Sequence, residues 1–203
     1  MALHLRIHPV DPQSRLIKQV VDCLLKDGVI IYPTDTVYAI GCSMHSREGL
    51  QRIARIKQSD PAKALLSFVC HDLKDLSQYA RQLDTPVFRL LKQHLPGPFT
   101  FILPASREVP KMMQSKKATI GLRVPDNAIA RAIAEALGHP ILSASVPAQM
   151  PEDLADPDVI FENFDRQVDM LVDGGMGEII PSTVVDLTGE EPQVIRPGKG
   201  EWE

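Results

Sequence analysis

The first thirty-three residues constrain the fold more tightly than any other stretch. "LHLRIHP" alternates like a strand, "DPQSRLIKQVVDCLLKDG" carries a helical stripe, and "VIIYP" is a short apolar run. Leu16, Ile17, Val20, Val21, Leu24 and Leu25 share one face of that helix. Asp11 is expected as its N-cap, Pro12 as its first residue and Gly28 as its stop. An amphipathic helix between two strands buries its stripe most simply against the sheet they form.

The same signals recur along the chain. A second helix is predicted from about Ser46 to Lys57, with Leu50, Ile53 and Ala54 inward and Arg47, Arg52 and Arg55 outward. "ALLSFVC" reads as a strand. "DTPVFRLLKQHLPGP" reads as a helix capped near Thr85 and Pro86 and halted by Pro96 to Pro98. "FTFILPA", "ATIGLRVP" and "PILSAS" read as strands. "DNAIARAIAEALG" is a helix capped at Asp126 and ended at Gly138. "DVIFENF" is a short helix, and "VDMLVDGG", "STVVDLT" and "PQVIRPG" complete the strands. Helices and strands intermix without strict alternation, which predicts a single α/β domain, residues 1–203, with a twisted mixed sheet flanked by helices.

Bulk properties narrow the function classes. A chain of 203 residues with 44% hydrophobic content suits one substantial core. No apolar segment reaches membrane-span length and "MALHLRIHPVDPQ" lacks a signal-peptide core, so a cytoplasmic protein without a membrane partner is expected. The formal net charge of −4 gives no global attraction to nucleic acid, although a local basic cleft is compatible with it. Cys23, Cys42 and Cys70 share no CxxC spacing and read as buried reduced thiols. His4 and His8 sit in a strand pattern and the other histidines are scattered, so no structural metal is expected.

Several predicted strands end in small hydroxyl or basic residues: "YPTDTVYAIG", "TIGLRVP", "ILSAS" and "IIPSTVVDL", with "VIRPG" beside the last. Strand ends of α/β sheets are where ligands sit. Lys57, Lys63, Arg123 and Arg196 together suit an anion site, with Thr34, Thr36, Ser143, Ser145, Ser182 and Thr183 supplying hydroxyls. Each also has a plainer reading: lysines at helix ends are usually solvated, and strand-end serines often satisfy the backbone. Arg123 resists that reading, because alternation sets it with Gly121 on the face opposite Ile120 and Leu122. The basic "SREVPKMMQSKK" reads as a solvated loop. The chain has no GxSxG elbow, Walker GxxxxGK[ST] or GxGxxG.

In order and spacing, "PTDTVYAIG", "LPGPFTFIL", "TIGLRVPDNAIARAI" and "PSTVVDLTGEEPQVIRPG" resemble the YrdC-like family, from about Leu16 to Gly198. The resemblance implies a YrdC-like fold, a twisted α/β sheet with a concave basic face. Its best-known members are threonylcarbamoyl-AMP synthases. They join L-threonine, bicarbonate and ATP, with Mg²⁺ on the triphosphate, and release pyrophosphate to supply a tRNA modification. By that resemblance Thr34 and Arg123 would bind threonine. Lys57, Lys63, Ser143, Ser145, Ser182 and Arg196 would bind the nucleotide. No residue is implied as a covalent catalyst.

The synthases carry a Lys-x-Arg pair after the second helix and a Ser-x-Asn pair after the "PILSAS" strand. Here Lys57 is followed by Ser59 in place of the arginine, and Ser145 by Pro147 in place of the asparagine. Ala39 stands where a glycine is usual. Such gaps resemble the YciO branch. Two classes therefore stand: a synthase-like enzyme with weakened or altered activity, and a non-catalytic module binding tRNA or other structured RNA.

Overall fold

The central sheet runs in the order Leu3–Arg6 (β1), Met170–Asp173 (β8), Ile30–Tyr32 (β2), Ala39–Ser43 (β3), Ile141–Ser145 (β7), Ser67–Val69 (β4), Thr119–Arg123 (β6), Phe99–Pro104 (β5), Thr183–Asp186 (β9) and Gln193–Arg196 (β10). A computed structural model describes residues 1–58, 66–81, 83–115, 117–147 and 150–202. Among them the helices are α1 (Ser14–Leu24), α2 (Arg47–Ile56), α3 (Leu73–Tyr79), α4 (Thr85–His94), α5 (Ala128–Leu137) and α6 (Pro157–Phe164). Four pairs are parallel (β1–β8, β2–β8, β4–β6, β5–β9) and five antiparallel (β2–β3, β3–β7, β4–β7, β5–β6, β9–β10), so the sheet is mixed as the sequence predicts.

Two cores divide at the sheet. On one face Ile31, Ile40, Phe68, Phe101, Leu122, Leu142 and Leu171 pack with Leu50 and Ile53 of α2, Leu76 of α3, Leu91 of α4 and Ile160 of α6. On the other face Ile30, Tyr32, Val69, Ile141 and Val172 pack with Ile17, Val20 and Leu24 of α1 and Ile129 and Ile133 of α5. This second core leaves part of its face open. Ser67, Ile102, Thr119, Gly121 and Ser145 are half-buried there, while Phe68, Phe101, Leu103, Ile120 and Leu122 between them are buried on the opposite side. That difference in cover positions the site.

Helix boundaries follow local chemistry, and three differ from expectation. The N-cap position of α1 is Gln13, not Asp11, and its side chain makes no capping bond; the His8 ring accepts the Asp11 N–H at 3.0 Å, holding that residue in the preceding turn. Its end comes at Leu24, and Leu25 points to solvent at 62% exposure, off the predicted stripe. Gly28 does close the helix end, since its N–H donates to the Cys23 carbonyl at 3.0 Å and a Cβ there would meet that oxygen at 2.5 Å. α5 is capped by Asn127, not Asp126, the Asn127 side chain accepting the Ala130 N–H at 3.0 Å. Asp84 caps α4 by accepting the Val87 N–H, so Thr85 and Pro86 are its first turn. α2 has the expected form, with Ser46 accepting the Gly49 N–H at 2.8 Å and Lys57 at the C-cap. Gly138 ends α5 at φ 76.

Two elements lie outside the sequence reading, β3 and α3. The "SREVPKMMQSKK" segment is less solvated than expected, because Val109 and Met113 are buried in the first core around a short 3₁₀ turn at Lys111–Met113. Among the described residues no helix is long and apolar enough to cross a membrane.

Candidate functional site

The turn between β2 and β3 builds the first half of the site. β2 ends in Tyr32, whose phenol shares a 2.8 Å hydrogen bond with Ser143 of β7. Gly41 is required beneath that ring, since a Cβ there would lie 3.0 Å from Tyr32 Cε1 and 2.7 Å from Ile141 Cγ2. Pro33 then breaks the strand. Thr34 Oγ1 accepts the Thr36 N–H at 3.1 Å and donates to the Val37 carbonyl at 2.8 Å, so the turn is closed by its own hydroxyl.

Arg123, at the end of β6, reaches this turn. Its Nη2 donates to Thr36 Oγ1 at 2.7 Å and Thr34 Oγ1 at 3.4 Å, and pairs with Asp35 Oδ1. The pair is buried, with side-chain exposures of 9% for Arg123 and 10% for Asp35. Among the described residues Asp35 Oδ2 and Arg123 Nε have no hydrogen-bond partner, although both are buried. Such groups are costly to leave unpaired, so a polar ligand at this spot gains from satisfying them. Asp35 was not among the sequence-predicted residues.

Cations and hydroxyls form the second half. Ser182, just before β9, shares a 2.9 Å hydrogen bond with Thr100 of β5. Arg196 at the end of β10 donates to the Ser182 carbonyl at 2.8 Å and to its Oγ at 3.3 Å, and among the described residues its buried Nε has no partner. Lys57 donates from Nζ to the Ser145 carbonyl at 2.9 Å, across from α2 to the end of β7. Burial holds the Lys57 pKa below its usual value, and the charge of Arg196 lowers it further. Arg196 is itself lowered by burial and then by Arg123. Arg123, Arg196 and Lys57 thus form a chain of like charges near enough to act on one another, a field that favours an anion between them.

Six of the expected site residues therefore meet in three pairs. Thr34 contacts Arg123, Ser182 contacts Arg196, and the Ser145 backbone contacts Lys57. Ser143 is buried beneath the Tyr32 hydroxyl. Thr183 is drawn off instead, its hydroxyl donating to the Gly200 carbonyl at 2.6 Å. Lys63 and Ser59 lie outside the described residues. Pro147 follows Val146, whose N–H donates to the Tyr38 carbonyl at 3.1 Å, so the chain leaves β7 with neither an amide side chain nor a second N–H there. Lys199 is a further cation missed in sequence. Its Nζ donates to the Asp35 carbonyl at 2.9 Å and Glu178 Oε1 at 3.0 Å.

Residues 22–198 match the Sua5/YciO/YrdC family model, whose description reads telomere recombination. The chain belongs to the Sua5/YciO/YrdC family. Within it, the chain is 45% identical to uncharacterized protein YciO of Escherichia coli over 197 residues, covering 96% of this chain and 95% of that one. The crystal structure of E. coli YciO superimposes with a TM-score of 0.93 at 43% identity, over 99% of this chain and 98% of the other. More distant is the threonylcarbamoyl-AMP synthase of Coxiella burnetii, 26% identical over 89% of this chain and 98% of that one. P. abyssi Sua5, solved complexed with L-threonine, matches with a TM-score of 0.86 at 26% identity, over 98% of this chain but only 57% of the Sua5 chain. The YrdC-like fold expected from the sequence is thus the fold of the molecule.

Proposed function

We propose that the chain is a nucleotide-binding protein of threonylcarbamoyl-AMP synthase type, with an activity weakened or altered at its nucleotide half. The observation that carries this reading is the placement of Arg123 and Arg196 on the open sheet face beside a hydroxyl-closed turn, with Lys57 of α2 reaching the end of β7 within range of the Arg196 charge. The Sua5 relative complexed with L-threonine adds support from the family.

The chemistry suits these residue types. The threonine amine and bicarbonate give a carbamate and water. A carbamate oxygen then attacks the α-phosphorus of ATP, and pyrophosphate leaves. Thr34 and Arg123 would take the polar groups of the amino acid. Lys57 and Arg196, with Ser145, Ser182 and Lys63, would take the phosphates, and Ser143 would fix the floor through Tyr32. Mg²⁺ would arrive with the triphosphate as part of that substrate. Such a reaction needs positioned reactants and fixed charge, and no covalent protein nucleophile.

Ser59 and Pro147 replace two donors of the synthase pattern. Losing one charge-assisted partner costs about 1.5–3 kcal/mol, roughly ten- to a hundredfold in affinity. The test is pyrophosphate release with ATP, bicarbonate and each amino acid in turn. Threonine-dependent release is expected. Release with another amino acid would redirect the substrate. No release, together with salt-steep binding of structured RNA, would move the function to an RNA-binding module.

A further inference from the structure

The C-terminal segment crosses the rim of the site and is fixed on both sides of Lys199. Before it, Gly198 fits where a Cβ would meet the Pro181 carbonyl at 2.3 Å, and the Lys199 N–H donates to that carbonyl at 2.8 Å. After it, the Gly200 carbonyl accepts the Thr183 hydroxyl, and Trp202 stacks on His94 with ring centroids 4.9 Å apart. The backbone of Lys199 is therefore held, while its side chain remains 37% exposed. From this mount Nζ bridges the Asp35 carbonyl and the Glu178 carboxylate, joining the turn after β2 to the loop after β8.

Asp35 is the residue whose carboxylate pairs with Arg123. A lysine gripping its carbonyl acts on the turn from outside, while Arg123 acts from beneath. We infer that Lys199 is a positioning residue for the amino-acid half of the site, holding the Thr34–Thr36 turn closed on Arg123 through Asp35 and Glu178. The inference rests on the reading that this half binds L-threonine. Neither Lys57 nor Arg196 is among the partners of Lys199, so its effect falls on amino-acid binding and not on the nucleotide.

The experiment compares wild type, Lys199→Met and Lys199→Arg by calorimetric titration with L-threonine and, separately, with Mg²⁺–ATP. Amide hydrogen exchange over residues 34–38 is measured in the ligand-free proteins, with thermal melts as a check on folding. Lys199→Met is expected to weaken threonine binding about three- to tenfold, the scale of losing a part-exposed charged contact. It should leave ATP affinity unchanged and speed exchange at the Thr36 amide, and Lys199→Arg should restore both. Unchanged threonine affinity and unchanged exchange overturn the inference, as does an equal loss for ATP. A wild type that binds no threonine overturns the underlying reading as well. Faster exchange in Lys199→Met would then still show that the lysine holds the turn, which separates the two failures.

Discussion

Substituting Arg123 tests the site and the fold together. Its Nη2 serves Asp35, Thr36 and Thr34 at once, and the Asp35 side chain it neutralises is only 10% exposed. Arg123→Met keeps the length of the aliphatic stem but leaves a carboxylate buried beside two threonine hydroxyls. Breaking one partner of a buried ion pair costs about 3–5 kcal/mol, because the remaining charge has no compensation. For a chain of this size that corresponds to a fall in Tm of roughly 6–20 °C. Asp35→Asn in the Arg123→Met background removes the stranded charge, so the double variant should be more stable than Arg123→Met alone. Denaturant unfolding of wild type, both single variants and the double variant gives the cycle. A coupling of about 2 kcal/mol or more is expected for residues in direct contact. Additive effects, or a double variant less stable than either single one, would refute the view that the pair is held by mutual neutralisation.

Other outcomes follow from the same geometry. Lys57→Ala should weaken Mg²⁺–ATP binding by about tenfold or more, whereas Lys117→Ala, in an exposed turn, should change it little when titrated at matched ionic strength. Burial, then Arg196, depress the Lys57 pKa below 10.5, so ATP affinity should begin to fall at a pH below that value as the ammonium is lost; Lys57→Ala should lack this limb. The folded state then binds fewer protons than the unfolded one between the depressed pKa and 10.5, so the Lys57 contribution makes stability rise with pH across that window, readable as the difference from Lys57→Ala in denaturation. Gly41→Ala should destabilise by about 1–3 kcal/mol in denaturant unfolding, since the new methyl meets Tyr32, Ile141 and the Leu142 carbonyl. Ser59→Arg with Pro147→Asn should raise threonine-dependent pyrophosphate release in a folded protein; unchanged release would count against a merely weakened synthase.

Local signals in the sequence carried the elements whose chemistry is local. α2 was legible from the Ser46 cap to Lys57, and α5 to its glycine stop, because caps and stripes act within a few residues. α3 has only Leu76 and Tyr79 to bury in seven residues, too few to set a period. β3 escaped because "AIGCS" is buried at all five positions, so no alternation marks it off from the turn before it. Arginines at two strand ends and a lysine at the end of α2 were readable as candidates for an anion site. The contacts that shape it were not readable, since Asp35 and Arg123 stand 88 residues apart and Lys199 lies 164 from the carbonyl it grips. A lone aspartate between two threonines looks like any turn residue until the fold brings a guanidinium to it.

The two halves proposed for the site, one for an amino acid and one for a nucleotide, are stabilised in different ways, and that difference bears on the family departures. In the amino-acid half, opposite charges meet and the hydroxyls are mutually bonded, so its shape is set before any ligand arrives. In the nucleotide half, Lys57 and Arg196 lean on backbone carbonyls, and desolvation and like charge hold both pKa values down. A bound polyphosphate relieves that repulsion, and each missing donor lessens the relief. Both departures from the synthase pattern, Ser59 and Pro147, follow the nucleotide-half residues Lys57 and Ser145, while Thr34 and Arg123 are retained. On the proposed assignment, a chain altered in this way keeps the Thr34–Thr36 turn closed on Arg123 and offers fewer donors to phosphates. Selection for a different phosphate-bearing partner would act on that second half first, because changes there leave the buried Asp35–Arg123 pair, and the fold it supports, undisturbed.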